Sequence, residues 1–150
     1  MNRHLRLMTL IFTLSLAAGC ATNPITGKTE LMLLSEDQDV QIGRQYAPEI
    51  EKQMGGRIPD QAIQNYINSV GQKIARVSHN QSFNYTFTAL QDKSVNAFAL
   101  PGGYIFITKG MLSSLQTEAQ LAGILAHEIT HVVARDVANA MSTQIGIELL

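Results

Sequence analysis

Of 150 residues only one, Cys20, is a cysteine, so no intrachain disulfide can staple the chain. Its stability must come from a packed core, and the length suffices for one domain with such a core. Excess positive charge is also missing: 11 Lys and Arg stand against 12 Asp and Glu, a net charge of −1, and no basic cluster runs through the chain. Nucleic-acid binding therefore has no electrostatic basis. No apolar run is long enough to read as a membrane span; the strongest, residues 7–16, is about half the length a helix needs. The 45% hydrophobic content is that of an ordinary globular protein.

What is present at the N-terminus is a secretion signal. Arg3, His4 and Arg6 form a positive region, residues 7–16 an apolar one, and Ala17, Ala18 and Gly19 a small-residue cleavage region. Residues 1–19 are therefore expected to be removed. Cys20 follows at once, and L-A-A-G-C resembles a bacterial lipobox, although Leu16 stands four residues before the cysteine instead of three. That resemblance implies lipid attachment at Cys20. With Ala21, not Asp, in the next position, it also implies a place on the outer membrane facing the periplasm. The alternative is a small buried thiol near a plain signal-peptidase site.

Residues 20–35 read as a lipidated N-terminus and tether, with turn-forming Asn23, Pro24 and Gly27. Ser35 with Gln38 predicts a helix start, the helix running over 36–54, kinked or divided by Pro48 and ended by Gly55 and Gly56. Pro59 opens a second helix whose packing face is Ala62, Ile63, Tyr66, Ile67, Val70, Ile74 and Val77. His79 follows in a polar loop at no ligand spacing and reads as a solvated side chain. Alternation at Phe83, Tyr85 and Phe87 predicts a strand, followed by strands over 95–100 and 104–108. The Leu100, Pro101, Gly102, Gly103 turn between them fits type II. The expectation is a small antiparallel sheet in an α+β protein. An edge of that sheet, with Asn96, Ala97 and Phe98 beside turn glycines Gly102 and Gly103, could hold an extended peptide backbone as an added strand.

Residues 121–134 read L-A-G-I-L-A-H-E-I-T-H-V-V-A. Their apolar side chains wrap nearly the whole helical circumference, which predicts a helix buried in the core and continuing to about residue 141. Thr117 and Gln120 form a capping box at its start. Gly123, one turn before His127, reads as room for a close neighbour or a substrate, or as a tolerated packing glycine. Polar groups in such a helix need a partner. His127 and His131, four apart, lie on one face and can bind one Zn²⁺ as neutral imidazoles. Glu128, about 100° round the helix from His127, can reach a zinc-activated water as general base without being a ligand.

Together, N-A-F-A-L-P-G-G, Y-I-F-I-T-K-G-M-L and E-A-Q-L-A-G-I-L-A-H-E-I-T-H-V-V-A-R resemble the M48 family of zinc metallopeptidases in its bacterial lipoprotein branch. The early C-A-T-N-P-I-T-G-K segment and the helix after it share the likeness. It implies a zincin-like fold with the sheet packed on the H-E-x-x-H helix, and one zinc per subunit held by His127 and His131. It also implies Glu128 as catalytic base, and action in quality control on unfolded or misassembled envelope proteins. In that family the third ligand is a glutamate on a later helix. Here Ala134 and Val137 exclude the metzincin extension, Asp136 misses its ligand place by one residue, and Glu148 comes sooner than the family pattern. The resemblance therefore implies that residues 36–150 are the N-terminal part of a longer peptidase domain. The competing reading is a lipid-anchored binding or chaperone-like envelope protein with an incomplete zinc site. A metal-storage protein is disfavoured by the single ligand pair.

Overall fold

The computed structural model describes residues 19–149. Except for Gly19, the residues read as a signal peptide lie outside that range. Where a tether was expected there is a hairpin. β1 (Cys20–Thr22) pairs antiparallel with β2 (Thr29–Leu31), in the register Ala21 to Glu30. Its turn is built on Asn23, whose Oδ1 accepts from the Ile25 and Thr26 amides while Nδ2 donates to Glu30. The same Nδ2 reaches the Ala134 carbonyl, so a local Asx turn also docks the hairpin on distant structure.

α1 (Glu36–Gln53) starts at the expected capping box, with Ser35 and Gln38 satisfying each other's backbone amides. It runs undivided through Pro48, which forfeits one helical hydrogen bond there. Gly55 and Gly56, both at positive φ, end it. α2 (Gln61–Ala75) begins after an Asp60 N-cap, two residues later than Pro59 suggested. Its buried face is also rotated from the expected one. Ile67, Val70, Gly71 and Ala75 are covered as well as Gln64, while Ile63, Tyr66 and Val77 face solvent. The polar Gln64 is tolerated because its amide is fully used: Nε2 donates to the Ile58 and Ala89 carbonyls and Oε1 accepts from the Ala89 amide, each at 2.9 Å.

β3 (Thr86–Leu90), β4 (Ala97–Leu100) and β5 (Tyr104–Thr108) form one sheet in the order β3-β5-β4. β4 pairs antiparallel with β5 through the Gly102 turn, but β3 pairs parallel with β5, so the expected antiparallel sheet is mixed. The reason lies in β5, whose Ile105, Phe106 and Ile107 are each 1% exposed. A strand apolar on both faces belongs in the middle of a sheet, and β3 and β4 flank it.

Alternation along these strands divides the core. Leu90, Phe98, Leu100, Tyr104 and Phe106 face α1 with Ala47 and Met54, and the Phe98 and Phe106 rings stack 5.2 Å apart. Phe87, Ala89, Ala97, Ala99, Ile105 and Ile107 face the opposite way, against α2 and α4 (Glu118–Ala134). Between β5 and α4 lies a short helix, α3 (Lys109–Ser114), capped by Thr108; α5 (Asp136–Glu148) closes the described chain. No helix of the described residues is long and apolar enough to cross a membrane.

Candidate active site

α4 carries the H-E-x-x-H residues. Thr117 and Gln120 form its capping box, and Leu121, Leu125, Ile129, Val132 and Val133 seat it in the core. The helix is not buried all round, as its composition suggested. Gly123, His127, Thr130 and His131 form an open stripe, because the described elements cover only the side facing β4 and α2. An added Cβ at Gly123 would meet nothing within 4 Å, so no described neighbour uses that space.

His127 Nε2 and His131 Nε2 face one another at 3.0 Å, with the rings perpendicular. Two imidazole nitrogens on one tetrahedral zinc at about 2.0–2.1 Å lie roughly 3.3 Å apart, so the pair fits a shared ion with a shift of a few tenths of an ångström. Beside them Glu128 is 7% exposed. Burial pushes its carboxyl above the ordinary glutamate range, and the His131 and His127 imidazoles pull it partly back. A carboxylate so placed is more basic than one in water.

The opposite ring nitrogen of His131 is also engaged. Nδ1 lies 2.5 Å from Asp136 Oδ2, a contact absent from the sequence reading, which had α4 running on to about residue 141. The helix instead breaks at Arg135, in the left-handed region at φ 57°. Arg135 Nε donates to Asp39 Oδ2 at 2.6 Å and its Nη2 donates to the Leu34 carbonyl at 2.7 Å. Asp39 is 1% exposed, and its Oδ1 has no protein partner among the described residues. It lines a cavity of about 20 Å³ shared with Pro101, His131 and Arg135, of the size of one water molecule.

Other expected site residues are more scattered. Asn96, Ala97 and Phe98 lie on or beside β4, the outer strand, whose far edge pairs with no described strand. Ala97 and Ala99 turn toward α4, but the Phe98 ring points to α1. Gly102 and Gly103 were expected to admit a substrate backbone and are instead buried in packing. A Cβ on Gly102 would come within 2.5 Å of the Val40 Cα, and one on Gly103 within 3.3 Å of the Phe83 Cβ. Glu148 sits at the far end of α5 bonded to Gln144, about 18 Å along the axis from Asp136. Among the described residues no three His, Cys, Asp or Glu side chains are grouped to hold a metal. Cys20 is exposed, with a free thiol, at the start of β1. His79 is exposed too.

Comparison with known proteins follows the same residues. Residues 61–150 match peptidase family M48. The beta-barrel assembly-enhancing protease of Escherichia coli K12 is 32% identical over 126 residues, covering 82% of this chain and 25% of that protein. A putative beta-barrel assembly-enhancing protease of Vibrio cholerae is 34% identical over 87 residues, 58% of this chain and 18% of the relative. The mitochondrial metalloendopeptidase OMA1 of Schizosaccharomyces pombe is 30% identical over 121 residues, 79% of this chain and 36% of the relative. The chain thus spans between 18% and 36% of the length of these curated relatives.

Proposed function

The chain belongs to peptidase family M48, and we propose that it supplies the N-terminal part of a zinc metalloendopeptidase, with His127 and His131 as two zinc ligands and Glu128 as general base. The observation that carries this reading is the pair of Nε2 atoms 3.0 Å apart on the open stripe of α4, with a buried carboxylate beside them. Bound zinc supplies Lewis acidity toward a peptide carbonyl and makes water easier to deprotonate. Glu128, desolvated and therefore more basic, takes a proton from the attacking water. It passes that proton to the leaving amine as the C–N bond breaks. The unpaired edge of β4, the strand whose Ala97 and Ala99 pack toward α4, aligns the substrate backbone as an added strand and asks little of its side chains.

The names of the bacterial relatives support substrates among unfolded or misassembled envelope proteins. An exposed Cys20 at the start of a docked hairpin is accessible to a lipid anchor, and the lipobox resemblance, with Ala21 after the cysteine, is what favours the bacterial envelope and the outer membrane facing the periplasm. Residues 1–19 would be the removed signal, residues 20–35 the anchored segment, and residues 36–150 part of the peptidase domain.

One observation favours a second reading: among the described residues no third carboxylate or imidazole joins the histidine pair. By itself the chain would then be a binding or chaperone-like protein with a weak metal site. Zinc titration and casein cleavage by the chain from Cys20, beside Glu128→Gln and the double variant His127→Ala/His131→Ala, separate the two. Tight zinc with cleavage abolished by Glu128→Gln establishes the peptidase. Weak zinc that depends on both histidines, without cleavage, supports the binding reading. Zinc binding indifferent to both histidines overturns the metal site.

A further inference from the structure

The metal site proposed above accounts for one nitrogen of each imidazole and leaves His131 Nδ1 with a partner that the proposed mechanism does not use. On an unbroken helix Asp136, five residues after His131, would stand about 140° round the axis and 7.5 Å further along it, out of reach. The left-handed Arg135 changes that path. It ends α4, and Asp136 becomes the first residue of α5, with its carboxylate 2.5 Å from His131 Nδ1. The break is not a loose turn. The Arg135 side chain is held by the buried Asp39 carboxylate and the Leu34 carbonyl, and its amide bonds back to the His131 and Val132 carbonyls. A left-handed conformation is uncommon for arginine, and here it is fixed from both sides.

We infer that Asp136 is the positioning residue for His131: its carboxylate holds the ring in the Nδ1–H tautomer and leaves the Nε2 lone pair aimed at the position shared with His127. An ionised carboxylate only accepts hydrogen bonds, so the proton of a neutral His131 must sit on Nδ1. Nε2 then carries the free pair, the form that a metal needs. The inference rests on the zinc reading for its purpose and on the geometry alone for the tautomer. Asp136 is thereby removed as a third ligand, because it lies against the opposite edge of the ring from Nε2. His127 is treated differently, since its Nδ1 has no side-chain or backbone partner among the described residues. The two ligands are thus unequal: an acid holds the outer nitrogen of His131, and His127 has only its contact with His131.

The test uses the metal-free, ¹⁵N-labelled chain at about pH 8.5, some two units above the ordinary imidazole value. Two-bond ¹H–¹⁵N spectra report the tautomer of each histidine. His131 is expected as Nδ1–H in the native chain and in Asp136→Asn, whose amide oxygen can still accept. In Asp136→Ala it should move to a mixture dominated by Nε2–H, and His127 should shift with it, because the two Nε2 atoms lie 3.0 Å apart and only one of them can carry the proton between them. Zinc affinity by calorimetry should fall about 10- to 100-fold in the alanine variant, and less in the asparagine variant. Far-UV circular dichroism checks that both variants fold. A native His131 in the Nε2–H form overturns the inference, and so does an Nδ1–H tautomer that survives Asp136→Ala. If the native chain itself binds no zinc, the zinc reading of these residues falls, while the tautomer result still decides the role of Asp136.

Discussion

Asp39, in the first turn of α1, and Arg135, between α4 and α5, are joined by a 2.6 Å ion pair that spans 96 positions of sequence. The pair is nearly dry, with side chains 2% and 14% exposed. Breaking a buried pair by removing one partner leaves the other charge without compensation. Because Arg135 also sets the start of α5, damage here reaches both stability and the histidine pair.

Arg135→Ala and Asp39→Ala are each expected to cost about 3–5 kcal/mol, read from urea unfolding followed by circular dichroism. In a double-mutant cycle the two losses should not add. Additive losses, or a loss below about 1 kcal/mol in either variant, would contradict the picture of a buried, mutually dependent pair.

Two glycines should respond to alanine with opposite signs. At Gly43 an added Cβ would collide with the Pro101 carbonyl oxygen and the Tyr104 ring, so α1 must lift off the β4–β5 turn at a cost of about 1–3 kcal/mol. At Gly123 nothing stands within 4 Å, and alanine should stabilise α4 by about 0.5–1 kcal/mol. Thermal melts of both variants against the native chain decide the signs. A loss of proteolysis in a stabilised Gly123→Ala would mark that space as substrate room.

Tyr85 gives a pH dependence. Burial pushes its phenol above the ordinary value, the nearby Ser78 hydroxyl opposes this, and the Glu36 charge adds to the rise; the hydroxyl donates to the Asn80 carbonyl. With the folded value raised, its contribution to stability is complete below about pH 10 and is lost as pH climbs through the folded value. Denaturant midpoints measured across that range should fall in the native chain and fall less in Tyr85→Phe. At neutral pH the phenylalanine variant should be weaker by about 1 kcal/mol for the lost hydrogen bond.

Glu128→Gln keeps the shape and removes the charge. Proteolysis attributed to this carboxylate should vanish, while zinc affinity stays within a few-fold, since Glu128 is not a ligand in this reading. The variant should be at least as stable as the native chain at pH 7, because a desolvated carboxylate costs free energy that an amide largely avoids. A marked drop in stability would mean that the carboxylate holds a structural partner.

Features with local causes were legible in sequence. Ser35 with Gln38, and Thr117 with Gln120, form their capping boxes within four residues, and the φ of 77° at Gly102 follows from its turn. The histidine pair is legible for the same reason, since i and i+4 meet on any helix. What escaped was non-local. The parallel pairing of β3 with β5 depends on which strand takes the centre of the sheet. The burial of Gln64 depends on the Ala89 backbone 25 positions on. The break at Arg135, and with it the approach of Asp136 to His131, is held by Asp39, and nothing in the sequence around residue 135 announces it.

The docked hairpin has a consequence for timing. Its ties run from Asn23 to Ala134, Leu33 to Ser142 and Asn139 to Leu31, across 111, 109 and 108 positions. Closing such long loops is slow and entropically costly. Synthesis proceeds from the N-terminus, so the segment made early waits for α4 and α5 before it can settle. A nascent chain therefore carries its two histidines before the frame that orients them exists, and the geometry of the pair matures only after most of this sequence has been made.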